Sequence, residues 1–494
     1  MPNFNVILFT DIVRRNPNDS VFIPAIGAYK LANTLRASGY SCLVVNHVSE
    51  FTIDEIYTLL NRAVGSDTCM IGFSTTFYDL ITSVATGPTA GSNSNIHGQN
   101  FNLFPQGADF DDQVFAHINK LNAAIKIVAG GTIVRPELRC KYADFLVLGY
   151  AEANIVNLVD HIKHGVVLKN SYKNINNNKI IINNVLAEGY EFSKDTMTWC
   201  AEDVVNHTRL PIEIGRGCIF SCAFCSYPMN GKTKLDFIKD AATLKQELLH
   251  NYNNHGICIY MIVDDTFNDS VEKLVQLRDM IVSLPFKPEF WCYARLDLIC
   301  THPETIHMLY DIGVRSMFFG IETLDRKSGQ AVGKGYNREK QIAMISTIKE
   351  TYHDMNLHGS FIIGTPYETI KSAERTLKAL STREIKLDSF AFRPLIIGKK
   401  ANGAVFESSI TKDYAKFGYR EMPNAPHHNF VIWENDQMNF FQAQRLIEKY
   451  NDLQSNTGSL FYEKEPTPPH KFLSEYKRRL LELVTDEKYL PTFR

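Results

Sequence analysis

Three of the ten cysteines in this 494-residue chain, Cys218, Cys222 and Cys225, crowd into the stretch GRGCIFSCAFCSYP at residues 215–228. Thiolates are soft ligands, so the crowding raises a question of metal chemistry. A structural zinc site closes a tetrahedron with four ligands, and only Cys200 and His207 lie near enough in sequence to add a fourth. Iron–sulfur clusters are also usually held by four thiolates. A four-iron cluster held by three thiolates keeps one coordination position open, where a small molecule can bind the metal and take an electron. Three merely packed cysteines are the plainer alternative, but Gly215 and Gly217 beside them mark a loop.

That loop follows the strand-like run PIEIG (211–215), the first of six strand-and-helix steps. The later strands are GICIYMIVD (256–264), EFWCYA (289–294), VRSMFFG (314–320), GSFIIG (359–364) and DSFAFRP (388–394). Between them, DSVEKLVQLRDMIVSL is expected to open at an Asp269 cap answered by Glu272, and the helix after THPE at a Thr301 cap answered by Glu304. Such a series predicts a partial (β/α)6 parallel barrel over residues 211–398, with its chemistry at the strand C-terminal ends.

Residues 1–163 show a second alternation of apolar runs and helical patterns: NVILFT (5–10), SCLVVNHV (41–48), TCMIGFS (68–74), KIVAGG (126–131) and ADFLVLGY (143–150). In PAIGAYKLANTLRASG, Ala28, Leu31, Ala32 and Leu35 share one helical face and Gly39 stands where the helix should end. The fold class is therefore α/β, with an N-terminal doubly wound parallel sheet whose ligand site lies beyond the strand ends. Those ends carry small residues: Ser74, Thr75, Gly130, Gly131 and Gly149. A Gly/Ser/Asn-rich insertion (86–107) after the third strand is either a surface loop or one that closes on a ligand. Residues 164–210 read as a connecting segment and 399–494 as a mostly helical C-terminal extension, with helices at 436–452 and 470–485. Phe472, Tyr476, Leu480 and Leu483 form the apolar stripe of the second, and residues 477–479 (KRR) its solvated side. The adjacent His427 and His428 read as loop residues.

Composition narrows the function classes. A net charge of −2 gives no reason to expect a nucleic-acid partner or an acidic membrane surface. No apolar run reaches the length of a membrane span, and MPNFNVILFTDIVRR has no charged leader, so neither an anchor nor a signal peptide is expected. The remaining cysteines (42, 69, 140, 200, 258, 292 and 300) are scattered singly, which fits no disulfide framework and suggests a cytoplasmic setting.

Cys218-x-x-x-Cys222-x-x-Cys225, with Phe224 before the last cysteine, resembles the cluster motif of the radical S-adenosylmethionine (SAM) superfamily. VDDTF (263–267), YARLD (293–297), FGIET (319–323) and IIGTPYET (362–369) fall at the following strand ends in agreement with it. The resemblance implies that the three cysteines hold a four-iron, four-sulfur cluster. It also implies that Asp265, Arg295 and Glu322 hold the amino acid or ribose of SAM, and that Gly364 lies beside its adenine. At each position an ion pair, or a plain turn at Gly364, is the alternative. The commonest family version of the second strand end is Gly-Gly-Glu, which VDDTF departs from. The N-terminal region resembles the cobalamin-binding domain that precedes many such barrels, through PAIGAYKLANTLRASGY, IVAGGTIVRPE and ADFLVLGYAEANIVNLV. Cobalamin would lie on the floor of Ser74, Thr75, Gly130, Gly131 and Gly149. Two departures stand out: the Asp-x-His-x-x-Gly signature that supplies an imidazole to cobalt is absent, and Tyr150 replaces a common glutamate. Among the histidines of this region (47, 97, 117, 161 and 164), only His47 ends a strand.

The function this implies is reductive SAM cleavage by a cobalamin-dependent methyltransferase acting on an unactivated carbon. An external electron donor and a small-molecule or peptide substrate are its expected partners. The alternative is a radical SAM cyclase, rearrangement or methylthiolation enzyme without methylcobalamin. A non-catalytic, zinc-stabilised scaffold is a third reading. Methylthiotransferases carry three N-terminal cysteines for a second cluster; here Cys42 and Cys69 fall in strands and Cys140 in a helical stretch. No single catalytic residue is assigned. The substrate is expected at the barrel mouth and the segment holding Phe417, Tyr419 and Trp433.

Overall fold

The computed structural model describes residues 4–11, 23–74, 103–131, 141–169, 171–174, 179–184, 190–201, 203, 208–227, 231, 237–334, 337–399, 407–423, 425, 430–450 and 469–485. Thr75, His97, Cys140, His207, His427, His428 and most of the 86–107 insertion lie outside these residues.

The N-terminal unit runs β1 (Val6–Thr10), α1 (Ile26–Ala37), β2 (Cys42–Val45), α2 (Ile53–Ala63), β3 (Met70–Ser74), α3 (Ala108–Leu121), β4 (Lys126–Gly131), β5 (Phe145–Gly149) and α4 (Ile155–His164). Two further strands, β6 (Ser171–Asn174) and β7 (Lys179–Asn184), come from the stretch read as a connection and extend the same sheet. Its order is β2-β1-β3-β4-β5-β7-β6, parallel except for the β6–β7 pair. Alternate residues of each strand serve opposite faces, as a strand's two-residue period requires. Val6 and Leu8 join the core of α1 and α4, including Ala28, Leu35 and Leu158. Ile7 and Phe9 join that of α2 and α3, including Leu59, Val114 and Ile118. Strand order reverses between β1 and β3, which places the ligand crevice of such a sheet at their C-terminal ends. Gly39, at φ +86°, ends α1 in the left-handed conformation that the sequence anticipates.

The second sheet holds β8 (Arg209–Ile212), β9 (Ile259–Ile262), β10 (Glu289–Ala294), β11 (Val314–Glu322), β12 (Asn356–Ile363) and β13 (Ser389–Pro394). Its strands are parallel and in chain order, and β8 and β13 are its two edges, which makes a partial barrel. The connections carry α5 (Ala241–His255), α6 (Val271–Val282), α7 (Leu296–Thr301), α8 (Thr305–Ile312), α9 (Arg326–Val332), α10 (Arg338–Thr351) and α11 (Ile370–Ser381). Two caps differ from expectation. Ser270, not Asp269, caps α6 by accepting from Lys273 N, because Asp269 instead pairs with the Lys273 ammonium. Thr301 ends α7 and donates back to Asp297 O, so α8 starts at Glu304 without a side-chain cap.

After the barrel come β14 (Ile397–Gly398), α12 (Ser409–Lys412), β15 (Arg420–Glu421), β16 (Phe430–Val431), β17 (Trp433–Glu434), α13 (Phe440–Lys449) and α14 (Pro469–Leu483). The stripe of Phe472, Tyr476, Leu480 and Leu483 on α14 is buried in the core shared by α2 and α3. Arg478 and Arg479 are exposed and pair with Glu475, whereas Lys477 donates to Glu50 O and Glu55 Oε2, so the basic run is only partly a solvated face.

Candidate active site

Past Ile212 the chain enters the cysteine loop, which backbone and carboxylate contacts hold in place. Ile214 N donates to Asp264 Oδ1 at 2.8 Å, just beyond β9. A Cβ on Gly215 would lie 3.1 Å from the other oxygen of Asp264, so glycine permits this approach. Burial pushes the Asp264 carboxyl up to about 7, against Lys273 and the backbone donors Gly215 and Ile214. Within the loop, Cys225 N donates to Cys222 O at 3.0 Å, and Gly231 N to Cys218 O at 2.8 Å. Ala223 N donates to Val332 O at 3.1 Å, anchoring the loop to the end of α9.

Each cysteine has a defined setting. Cys218 Sγ is 3.3 Å from Thr266 Oγ1, and Cys222 Sγ accepts from Arg295 Nη1 at 3.2 Å. Burial pushes the Cys218 thiol up, against the bonds from Thr266 and Phe220 N. Burial likewise pushes Cys225 up to about 11, and the charges of Cys222, Asp265 and Cys218 add to the effect. Bringing three thiolates together here needs a compensating cation.

Among the described residues, no three His, Cys, Asp or Glu side chains are gathered to hold one metal ion. Tetrahedral zinc–thiolate bonds of about 2.3 Å would bring the sulfurs within about 4 Å of one another. A cubane instead places each thiolate on a separate iron and needs them further apart. Three thiols on one loop supply the donor set of a cluster that keeps one iron open, one ligand short of a closed structural zinc site.

The strand ends supply the other groups. Arg295, after β10, is buried, with its guanidinium 3.9 Å from the Phe220 ring centroid. Its Nε and Nη2 donate to Asp297, Nη2 also to Gly333 O, and Nη1 to Cys222 Sγ. One of its five N–H donors is left over. Arg295 therefore braces the cysteine loop more than it faces a ligand. Glu322 ends β11 with φ +66°, at a bulge in the pairing with β12. Burial pushes its carboxyl up, against Lys334 and Arg295, yet no described residue hydrogen-bonds or pairs with it. Its Oε1 lies over Gly320, where a Cβ would come within 2.6 Å. Asp265 is half-buried and close enough to act electrostatically on Cys218 and Cys225. Phe224 is half-buried against the barrel core.

Gly364, at φ +92°, is closely approached by the C-terminal extension. A Cβ there would fall 2.2 Å from the Trp433 indole, and Tyr419 OH donates to Gly364 O at 2.7 Å. Gly364 N donates to Glu368 Oε2 at 2.7 Å. Trp433 and Tyr419 are thus packing residues of the C-terminal extension, both buried, while Phe417 is half-buried beside the same core. Their spacing from the barrel in sequence gave no signal of this contact.

In the N-terminal sheet, Ser74 pairs with Gly130, and Gly131 with Leu148 one residue before Gly149. The ends of β3, β4 and β5 therefore form a ledge of small side chains, which suits a broad flat ligand such as a corrin. His47 lies at the far edge, after β2, its ring packed edge-on to Phe472 and Tyr476. His117 stacks on Tyr57 of α2, and His161 bonds Val166 O beside the end of α4.

Residues 212–380 match the radical SAM superfamily. An uncharacterised methyltransferase of Pyrococcus horikoshii is 28% identical over 306 residues, which are 57% of this chain and 64% of that protein. The structure of TsrM, a radical SAM methyltransferase from Kitasatospora setae with cobalamin and a [4Fe-4S] cluster bound, superposes with a TM-score of 0.64. It shares 12% identity and covers 97% of this chain and 99% of its own. OxsB, a cobalamin-dependent SAM radical enzyme with aqua-cobalamin and SAM bound, superposes with a TM-score of 0.60 at 13% identity, covering 98% of this chain and 74% of its own. No helix among the described residues is long and apolar enough to cross a membrane. Residues 212–380 therefore form a domain of the radical SAM superfamily, joined to an N-terminal parallel-sheet domain in the overall arrangement of TsrM and OxsB.

Proposed function

We propose that the chain is a radical SAM enzyme that cleaves SAM reductively at a four-iron, four-sulfur cluster on Cys218, Cys222 and Cys225. We further propose a cobalamin-dependent methyl transfer to an unactivated carbon of a small-molecule or peptide substrate. The observation that carries this is the cysteine loop at the end of the first barrel strand, with Arg295 bonding Cys222 and the buried carboxylate of Glu322, which no described residue hydrogen-bonds, ending the fourth strand. The cluster, when bound, supplies the electron and an open iron position. Glu322 would accept from the ammonium or ribose hydroxyls of SAM, a contact that relieves its buried, unbonded state. Arg295 would orient Cys222 and offer its remaining N–H to the SAM carboxylate. Phe224 and Asp265 complete the wall around the triplet. The ledge of Ser74, Gly130, Gly131 and Gly149, with Thr75 next to Ser74 in sequence, would carry the corrin without an imidazole from the protein. A cytoplasmic setting belongs to the same proposal, supported by the single scatter in sequence of the cysteines outside the triplet, and reductive cleavage calls for an external electron donor.

The test is anaerobic reconstitution with iron, sulfide and cobalamin, followed by SAM turnover and mass spectrometry of candidate metabolites. SAM consumption that disappears in each cysteine-to-alanine variant supports the proposal. Zinc in the triplet with no SAM turnover contradicts it.

A further inference from the structure

Immediately before Cys218, charged side chains from four segments meet out of water. Lys30 of α1 donates to Glu213 Oε2 at 2.7 Å and pairs with Asp195. Arg216, two residues before Cys218, donates from Nε to Glu213 Oε1 at 2.7 Å and from Nη2 to Glu152 Oε1 at 2.8 Å. Glu152 and Tyr150 both belong to the turn that follows Gly149 at the end of β5. The Arg216 guanidinium carbon is 4.0 Å from the Tyr150 ring centroid and 4.9 Å from that of Phe192. The side chains of Arg216 and Glu152 are 4% and 6% exposed. Burial alone would raise the Glu213 carboxyl, but Lys30 and Arg216 hold it well below the usual carboxylate range.

A buried ion pair is a poor device for stability alone, since apolar replacements often serve as well. What a bonded guanidinium adds is geometry: its planar fork fixes direction as well as distance. Here that geometry is placed beside a cysteine. Only Gly217, at φ +77°, separates Arg216 from Cys218, and Arg216 N also donates to Phe237 O at 2.9 Å. The backbone leading into the first thiol is thus fixed on one side by the barrel and on the other by the N-terminal sheet.

We propose that Arg216 is a positioning residue that ties the cysteine loop to the β5 turn through Glu152 and Tyr150, so that side chains of the N-terminal domain govern how firmly the cluster is held. This rests on the reading of the triplet as cluster ligands. Tyr150 acts through its ring face, so its hydroxyl is dispensable, and Glu152 acts through its charge.

The full chain, reconstituted anaerobically, is compared as wild type, Glu152→Gln, Tyr150→Leu and Tyr150→Phe. The readouts are the rate of iron release to a chelator and the electron paramagnetic resonance (EPR) spectrum of the reduced cluster. Glu152→Gln and Tyr150→Leu should release iron severalfold faster than the wild type and should shift the spectrum. Tyr150→Phe should match the wild type. Glu152→Gln is nearly isosteric and decides the matter if Tyr150→Leu fails to fold. A wild-type chain that takes up no cluster overturns the ligand reading and this inference with it. A cluster-bearing wild type whose rate and spectrum are unchanged in Glu152→Gln overturns the inference alone.

Discussion

Glu322 combines a left-handed backbone, burial and an unbonded carboxylate at one position. Lys334 and Arg295 offset part of the cost of burying its charge, but no described residue hydrogen-bonds the carboxylate and the left-handed backbone adds strain, a combination that a bound ligand would account for. Glu322→Gln should weaken SAM binding roughly tenfold or more, the worth of one hydrogen bond to a charged group, and leave the EPR spectrum of the reduced cluster intact. Unchanged affinity would make Glu322 a structural residue. Arg295→Ala should behave differently and disturb the cluster spectrum as well as SAM binding, because its Nη1 bonds Cys222 Sγ. Both positions were legible from their place at strand ends. The bond to Cys222 was not, because a strand-end arginine looks the same in sequence whether it faces a ligand or a loop. Glu368 offers a test of the turn it bonds. Burial raises its carboxyl to about 7, against the Gly364 and Thr365 donors. The folded state therefore binds the extra proton between the unfolded carboxylate pKa and about pH 7, and stability falls as pH rises through that window. The loss is complete above it and amounts to roughly 3 kcal/mol at most. Glu368→Gln should flatten this part of the pH profile of thermal unfolding; an unaltered profile would assign it elsewhere.

Strands with continuous apolar runs were readable because burial on both faces leaves no other composition open to them: VILFT of β1 is buried at every residue. The cap of α6 was misread because Asp269 and Ser270 are adjacent and both can cap; the Lys273 ammonium draws off the aspartate. The strands β6 and β7 were missed in an Asn/Lys-rich stretch whose polar residues mask a short ladder at the sheet edge. Contacts between distant elements had no sequence signal at all. Trp433 over Gly364 and Tyr476 beside His47 each join segments that only the tertiary fold brings together. The stripe on α14 was legible by its spacing, though not the core it enters. Leu480 is almost fully buried there, so Leu480→Ala should cost about 2–5 kcal/mol, seen as a lower unfolding midpoint of the N-terminal domain. No change would mean that α14 does not close that core in solution.

The two parallel sheets meet through charged side chains on the β5 turn, α1 and the segment leading into the cysteine loop. The buried pairs Lys30–Glu213 and Arg216–Glu152 join the two units beside Cys218. His47 follows β2 at the edge of the sheet and packs edge-on to Phe472 and Tyr476. The cob(II)alamin form should therefore show no axial-nitrogen splitting in EPR, and a nitrogen pattern that vanishes in His47→Ala would contradict this. The cluster is tested most directly by anaerobic iron and sulfide analysis of the reconstituted full chain, paired with EPR of the reduced protein. One oxygen-sensitive cluster with about four irons and four sulfides per chain, lost when any of Cys218, Cys222 or Cys225 becomes alanine, is the predicted result. Zinc alone, or a second cluster that survives those substitutions, would contradict it.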